Sequence, residues 1–528
     1  MATSNALPHE FEQSYLELTA FPRNHIEAKS YGDAILKGYH ERLSDGERLM
    51  FLQDEDKIKV PIRDISADGS VTKVNVLNDD QLKDLLGHVP QDPMQNLVNG
   101  SNRPLAQVSI RVQKDAKCRF VFLITKSAVA PLELSGTMLR RLLTHYQVMP
   151  QFLDFICLYG SSDTEDNGLR FSGFKSAKVL KNPTPAMCIP QMDRSGRAFQ
   201  LCYNLKVTRW GEVDNTMSWT IEQYAVYHRF DVGTGVQVWM IGDPHAEIKE
   251  RVGEMFRERG AHQSKFDTID HALGSSLETH LALAAWVTSQ WKRAVLDLGK
   301  IIHDLNLEIA YIEATFDREN QSSATLGEVQ KWEDKTNETA IIMAFNVNVL
   351  KLFREFYKGL VHDENFPNRE RWACQQEVHK FASQVDEVID EAEMLASMAT
   401  GLAKVVARKK ASFIQFLQGQ TAAVAYELNI KMFEQANQSA TEAIAMRIIT
   451  VVTLIYLPAT FSSTFFSTDI VKYQDGESFS WLALTRFMQV TVPLMFLTFL
   501  IAGGWFWVES KKRSSPTRSS EKRDSTDE

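Results

Sequence analysis

Two uncharged runs near the C-terminus constrain this chain more than any other feature in it. Between Arg447 and Asp469 lie 21 consecutive uncharged residues, IITVVTLIYLPATFSSTFFST. Between Arg486 and Glu509 lie another 22, FMQVTVPLMFLTFLIAGGWFWV. About 20 helical residues rising 1.5 Å each cross a hydrocarbon layer of about 30 Å. Each run is long enough, and two of them so close together argue against buried core helices. The expectation is an integral membrane protein with helices over 447–468 and 487–508, joined by an extracytoplasmic loop over 469–486.

Flanking charge gives the orientation. Arg408, Lys409, Lys410 and Arg447 precede the first run, and Lys511, Lys512 and Arg513 follow the second. The loop sets Lys472 against Asp469, Asp475 and Glu477. Positive charge stays on the cytoplasmic side, so both termini are expected in the cytosol and the lipid bilayer is an obligatory partner. Trp505 and Trp507 fall where an inner aromatic belt belongs. The tail, 509–528, is rich in Ser and charge and reads as disordered.

The preceding chain changes pattern once. After an N-terminal segment, 1–56, strand signals run over 57–243. Val108, Ile110 and Val112 alternate with polar neighbours, and CRFVFLIT (118–125) has the length of a buried strand. YNLKV (203–207), SWTIEQYAVY (218–227) and VQVWMI (236–241) follow. SGTMLRRLLTHY (135–146) opens with a capping Ser and has helical spacing, and MPQFLDFICLYG (149–160) reads as another short helix. An α/β (or α+β) cytosolic domain is the economical reading.

From 244 to 368 the spacing turns helical and coiled. Leu277, Leu281, Ala284, Thr288, Trp291, Val295, Leu298, Ile302, Leu305, Ile309, Ile312 and Phe316 alternate gaps of four and three, a heptad seam. Ile342, Phe345, Val349, Phe353 (or Leu352), Phe356 and Leu360 repeat it. Over 369–446 a stalk helix is expected, with its seam at Phe381, Val385, Val388, Ala392, Leu395, Ala399, Leu402 and Val406. No proline interrupts it before Pro458. So long a helix cannot bury its apolar stripe alone and needs partners.

Composition then removes alternatives. A net charge of −9 lacks the basic excess of a nucleic-acid binder. The 5 cysteines are scattered without a CxxC pair, which suits a reducing compartment. The N-terminus has neither an apolar signal core nor a basic transit pattern. No GxxxxGK[ST], GxGxxG, HExxH or GxSxG occurs, so no enzyme and no cofactor is expected. Asp386, Glu387, Asp390, Glu391 and Glu393 on the stalk could bind cations between subunits, but read more simply as a solvated face.

Two membrane helices cannot enclose a hydrophilic path, so either they are an anchor or the chain oligomerises around the first. That first run is the more polar, with Thr450, Thr453, Thr460, Ser462, Ser463, Thr464, Ser467 and Thr468. Small hydroxyls also serve packing between membrane helices. Ser439, Met446, Thr453, Leu457, Thr460 and Asp469 share a broad face that a symmetric ring would turn inward. Asp469 is either one member of a cation-concentrating acidic ring or an interfacial residue ending a helix.

This organisation resembles the CorA family of divalent-cation channels, and the chain is similar in particular to fungal CorA-like transporter proteins. The carriers are SGTMLRRLLTHYQVMPQFLDFICLYG, SWTIEQYAVYHRFD and, most specifically, TLIYLPATFSSTFF (453–466). The resemblance implies a homopentamer of metal-ion transporters whose first span lines the pore and whose second packs outside. It implies transport of magnesium, cobalt, nickel or zinc as cargo, and location in the plasma membrane. The family's Gly-Met-Asn signature is replaced by Ser467, Thr468 and Asp469. The Asn position is therefore a carboxylate, so magnesium selectivity does not carry over. Thr460 matches a pore-face threonine; Thr453 is a second pore-facing candidate, and Asp475 and Glu477 make the loop acidic. The alternative is a membrane-anchored scaffold or sensor that kept the fold and lost the filter.

Overall fold

The computed structural model describes residues 7–89, 109–110, 113–127, 130–160, 171–213, 216–258, 266–315, 321–367, 369–467 and 481–513. Their contacts divide the chain into two units, Met1–Ile414 and Gln415–Glu528.

The first unit is built on a mixed seven-stranded sheet ordered β2-β1-β5-β9-β8-β7-β6. These strands are β1 (Val60–Ile65), β2 (Val71–Val76), β5 (Cys118–Thr125), β6 (Phe174–Val179), β7 (Ala198–Val213), β8 (Thr216–Asp231) and β9 (Gln237–Pro244). A separate pair holds β3 (His88–Val89) and β4 (Ser109–Ile110). Of the expected alternation around Ile110, Val108 and Val112 lie outside the described residues. β5 and β9 run parallel in the middle, and every residue of both is buried. That explains why they read as unbroken apolar runs. β7 and β8 form a long hairpin, paired from Ala198↔Asp231 to Val213↔Thr216.

Among the described residues, seven α-helices precede β6: α1 (His9–Leu16), α2 (Ala28–Tyr31), α3 (Asp33–Asp45), α4 (Glu47–Met50), α5 (Asp79–Leu85), α6 (Gly136–His145) and α7 (Leu153–Ile156). Ser135 caps α6 as its sequence requires, its Oγ accepting from the Met138 N–H at 3.2 Å. The N-terminal segment is not separate from the domain. Phe21, Leu43, Met50 and Phe51 belong to the same core as Leu123, Leu139 and Met240.

The other face of the sheet receives long helices. These are α9 (Ile269–Thr315) and α10 (Gln321–Val361), preceded by α8 (Glu247–Glu258) and followed by α11 (Arg371–Phe466) and α12 (Trp481–Arg513). Along α9 the expected seam is buried from Leu277 to Ile312 with Leu281 half-buried, while Phe316 lies outside the described residues. On α11, Val388 and Leu402 are half-buried and Ile389 and Ala403 are buried in their stead. A straight helix drifts about 20° per heptad against a strict seven-residue repeat.

One seam residue departs from expectation. Phe345 is 38% exposed, and the buried position is Asn346 at 5%. The cause is the sheet edge. The β6–β7 ladder ends at Phe174↔Tyr203, while β7 runs on to Val213. There the Lys206 N–H donates to Asn346 Oδ1 at 3.0 Å, and Asn346 Nδ2 donates to the Lys206 carbonyl at 2.7 Å. Trp291 Nε1 donates to the same carbonyl at 2.8 Å. An amide side chain thus substitutes for a strand and satisfies buried backbone groups that a phenyl ring would strand.

Nearby, β7, β8 and the helices share an aromatic junction. Tyr203 OH and His280 Nδ1 are 2.8 Å apart, and His280 Nε2 and His228 Nδ1 are 3.2 Å apart. His228 stacks on Trp239, and Phe353 packs edge-on to His280. Burial pushes His228 down to about 3, so the pair is neutral.

Candidate membrane site

The second unit begins within α11, which continues unbroken to Phe466. Two stretches, the end of α11 and Leu484–Val508 of α12, are long and apolar enough to cross a membrane, with mean hydropathies of 1.8 and 1.7. Only 6% of each such window is buried, which a soluble core helix of that length would not show. α12 starts at Trp481, ahead of the uncharged run, and continues past it to Arg513. It thus begins inside the expected loop, 469–486, and ends inside the expected tail, 509–528. Leu482 and Leu484 are strong helix formers, which favours the early start.

The first span has two opposed faces. With about 100° of rotation per residue, Thr453, Leu457, Thr460, Thr464 and Ser467 share one side, and all five are exposed. Roughly opposite lie Pro458 and Ser462, both buried, and Ala459 and Phe466, half-buried. This second side meets α12: the rings of Phe466 and Phe487 are 6.2 Å apart, and Thr491 is buried. The hydroxyl face therefore points away from the helix that packs beside it.

The chemistry of that face follows from its hydrogen bonds. Thr453 Oγ1 donates to the Ile449 carbonyl at 2.8 Å, Thr460 Oγ1 to Tyr456 at 2.7 Å and Thr464 Oγ1 to Thr460 at 2.8 Å. Each hydroxyl spends its only proton on its own helix and keeps oxygen lone pairs for a ligand. Thr453 and Thr460, seven residues apart in the sequence, stand about 10 Å apart along the axis. Ser467 follows in the terminal turn, its N–H donating to Ser463 and Thr464 carbonyls. Thr468, Asp469, Asp475 and Glu477 lie outside the described residues. Pro458, inside the helix, leaves the Leu454 carbonyl without its N–H donor.

Sequence reasoning did not find the packing face. Its signal is the spacing of Pro458 and Ser462, four apart with small residues between the bulky ones. Three of the five stalk carboxylates are engaged in ion pairs. Glu391 pairs with Lys292 at 2.8 Å, and Glu393 and Asp386 pair with Lys351 and Arg354. Among the described residues no group of three or more His, Cys, Asp or Glu is placed to hold a metal ion.

The family model described as CorA-like transporters matches residues 13–309, more than half of the chain. The chain belongs to the CorA-like transporter family. A solved structure, that of the full-length CmaX protein, is similar over 85% of this chain and 98% of its own, at 10% identity and a TM-score of 0.30. No curated protein matches the chain.

Proposed function

We propose that this protein is a divalent-cation channel or transporter that assembles as a homo-oligomer, a pentamer, around its first span. The observation that carries this reading is the opposition of faces on that span. One face is covered by the second helix of the same chain, and the other presents exposed hydroxyls at successive turns. Such a face is costly toward lipid and useful toward a hydrated ion. Around a common axis it would bring Thr453, Thr460 and Ser467 into stacked rings, with Thr468 and Asp469 completing the filter at the outer mouth. Asp475 and Glu477 would raise the local cation concentration there. Five carboxylates in one ring would repel one another and hold some protons, which separates this filter from an Asn ring. The cargo belongs to the magnesium, cobalt, nickel and zinc class, both termini lie in the cytosol, and the plasma membrane is the site of action.

The test is metal flux into liposomes containing the purified protein. Wild type should admit at least one of the four ions above the empty-vesicle rate. Asp469→Ala should lower that rate by about tenfold or more, the scale of one lost charged ligand, and Asp469→Asn should change selectivity. A second reading, a non-conducting membrane scaffold, is favoured by the absence of Gly-Met-Asn at 467–469. Flux indistinguishable from empty vesicles for all four ions would select it.

A further inference from the structure

Lys206 sits on β7 opposite Gln223 of β8, and its side chain faces away from the long helices that hold its backbone. The residue is 1% exposed. Its Nζ donates to Gln223 Oε1 at 2.9 Å, and among the described residues no carboxylate comes within ion-pair reach. A buried ammonium is retained only where something compensates it.

The amide beside it is equally one-sided. Turning the Gln223 amide over would set two donors against each other, so Oε1 must face Lys206 and Nε2 must face outward. That Nε2 is buried and, among the described residues, has no partner. Among the described residues no free acceptor lies within its reach. Asn204 Oδ1 already accepts from the Gly173 N–H at 3.0 Å, and Asn204 Nδ2 donates to the Phe171 carbonyl at 3.0 Å. Tyr159 OH donates to the Gln223 carbonyl at 3.0 Å. Glu222, the adjacent carboxylate on β8, points to the opposite face of the sheet and lies 3.6 Å from His245. A water molecule would satisfy Gln223 but leave the buried Lys206 charge uncompensated. An anion would not.

We propose that Lys206 Nζ and Gln223 Nε2 form a buried site for a small monovalent inorganic anion, with chloride as its ordinary occupant. This site is independent of the pore. It would fix the β7–β8 hairpin at the strand that Asn346 and Trp291 tie to α10 and α9.

Thermal unfolding of the full-length protein in detergent tests it, in sodium chloride against sodium gluconate at matched ionic strength. Gluconate, a polyhydroxy carboxylate, is far larger than chloride. At about pH 6, each tenfold rise in chloride above the dissociation constant should raise the midpoint by about 2 °C, while gluconate has no effect. Without an anion, burial holds the Lys206 amine down to about 7, so the chloride effect should vanish at about pH 9, where the amine is neutral. Lys206→Met should abolish the chloride dependence at both pH values. Equal midpoints in the two salts at about pH 6 would overturn the proposal using wild type alone. A chloride effect that persists at about pH 9, or in Lys206→Met, would do the same.

Discussion

The two units place their exceptional residues on opposite sides of their surfaces. In Met1–Ile414 the unusual groups are charged and inside: Arg119, Arg194, Lys206 and Arg229 are all buried. In Gln415–Glu528 they are apolar and outside: Phe433, Ile448, Tyr456, Leu457, Phe496 and Trp505 are all exposed. The first unit encloses a continuous apolar core within one chain. The second is finished only by a medium or by copies of itself. The lesson is that burial within one chain measures completeness in the first unit and incompleteness in the second.

The sharpest way to break this contrast is to remove an internal partner from the closed unit. Arg194 donates to Asp115 at 2.6 Å and to the His145 carbonyl at 2.8 Å. Arg194→Ala would leave a buried carboxylate whose pKa that guanidinium now holds far below the usual range. Denaturant unfolding followed by the near-ultraviolet signal should show a loss of about 3–5 kcal/mol.

Acid should separate the units next. Burial lowers His25 and His145 to about 4, against about 6.5 in an unfolded chain. Folding thus favours their neutral forms. The stability they contribute is complete above pH about 6.5 and is lost as pH falls toward 4, on the order of 3 kcal/mol for each fully buried ring. Unfolding midpoints measured down this range should fall for the sheet domain. A flat profile would mean that these rings do not remain neutral.

The smallest effects come from paired surface changes. Phe345→Glu alters an exposed position on α10 of the closed unit and should shift its unfolding by no more than about 0.5 kcal/mol. Phe433→Glu makes the same exchange on the open stretch of α11. It should leave that unfolding unchanged but reduce the mass of the detergent-solubilised assembly. Equal behaviour of the two variants would remove the contrast.

Much of this was legible in the sequence wherever one period ran long. The two spans, the α9 seam and the stalk each carry a single repeat over many turns, and tertiary structure only shifted the α11 seam to Ile389 and Ala403. Among the N-terminal helices, α1, α2 and α4 are too short to establish a stripe and α3 turns only Leu36, Tyr39 and Leu43 inward, although Phe21 and Phe51 are core residues. Asn346 was missed for a different reason. Preferring it over Phe345 requires knowing that β7 outruns β6, and that is a fact of strand pairing, not of the helix. At the candidate membrane site, the hydroxyl face was readable from its spacing, whereas the packing face emerged only when Ser462 and Thr491 were seen to be buried.

The threonines of the first span carry one further implication. Because Thr453, Thr460 and Thr464 have committed their hydrogens to the peptide groups below them, their outward electrostatics is set by the fold and not by the surroundings. No proton is left to rotate toward a passing anion, and no group there ionises across the range a cell encounters. A passage lined in this way would favour positive species by construction, and acidity could adjust it only from its mouths.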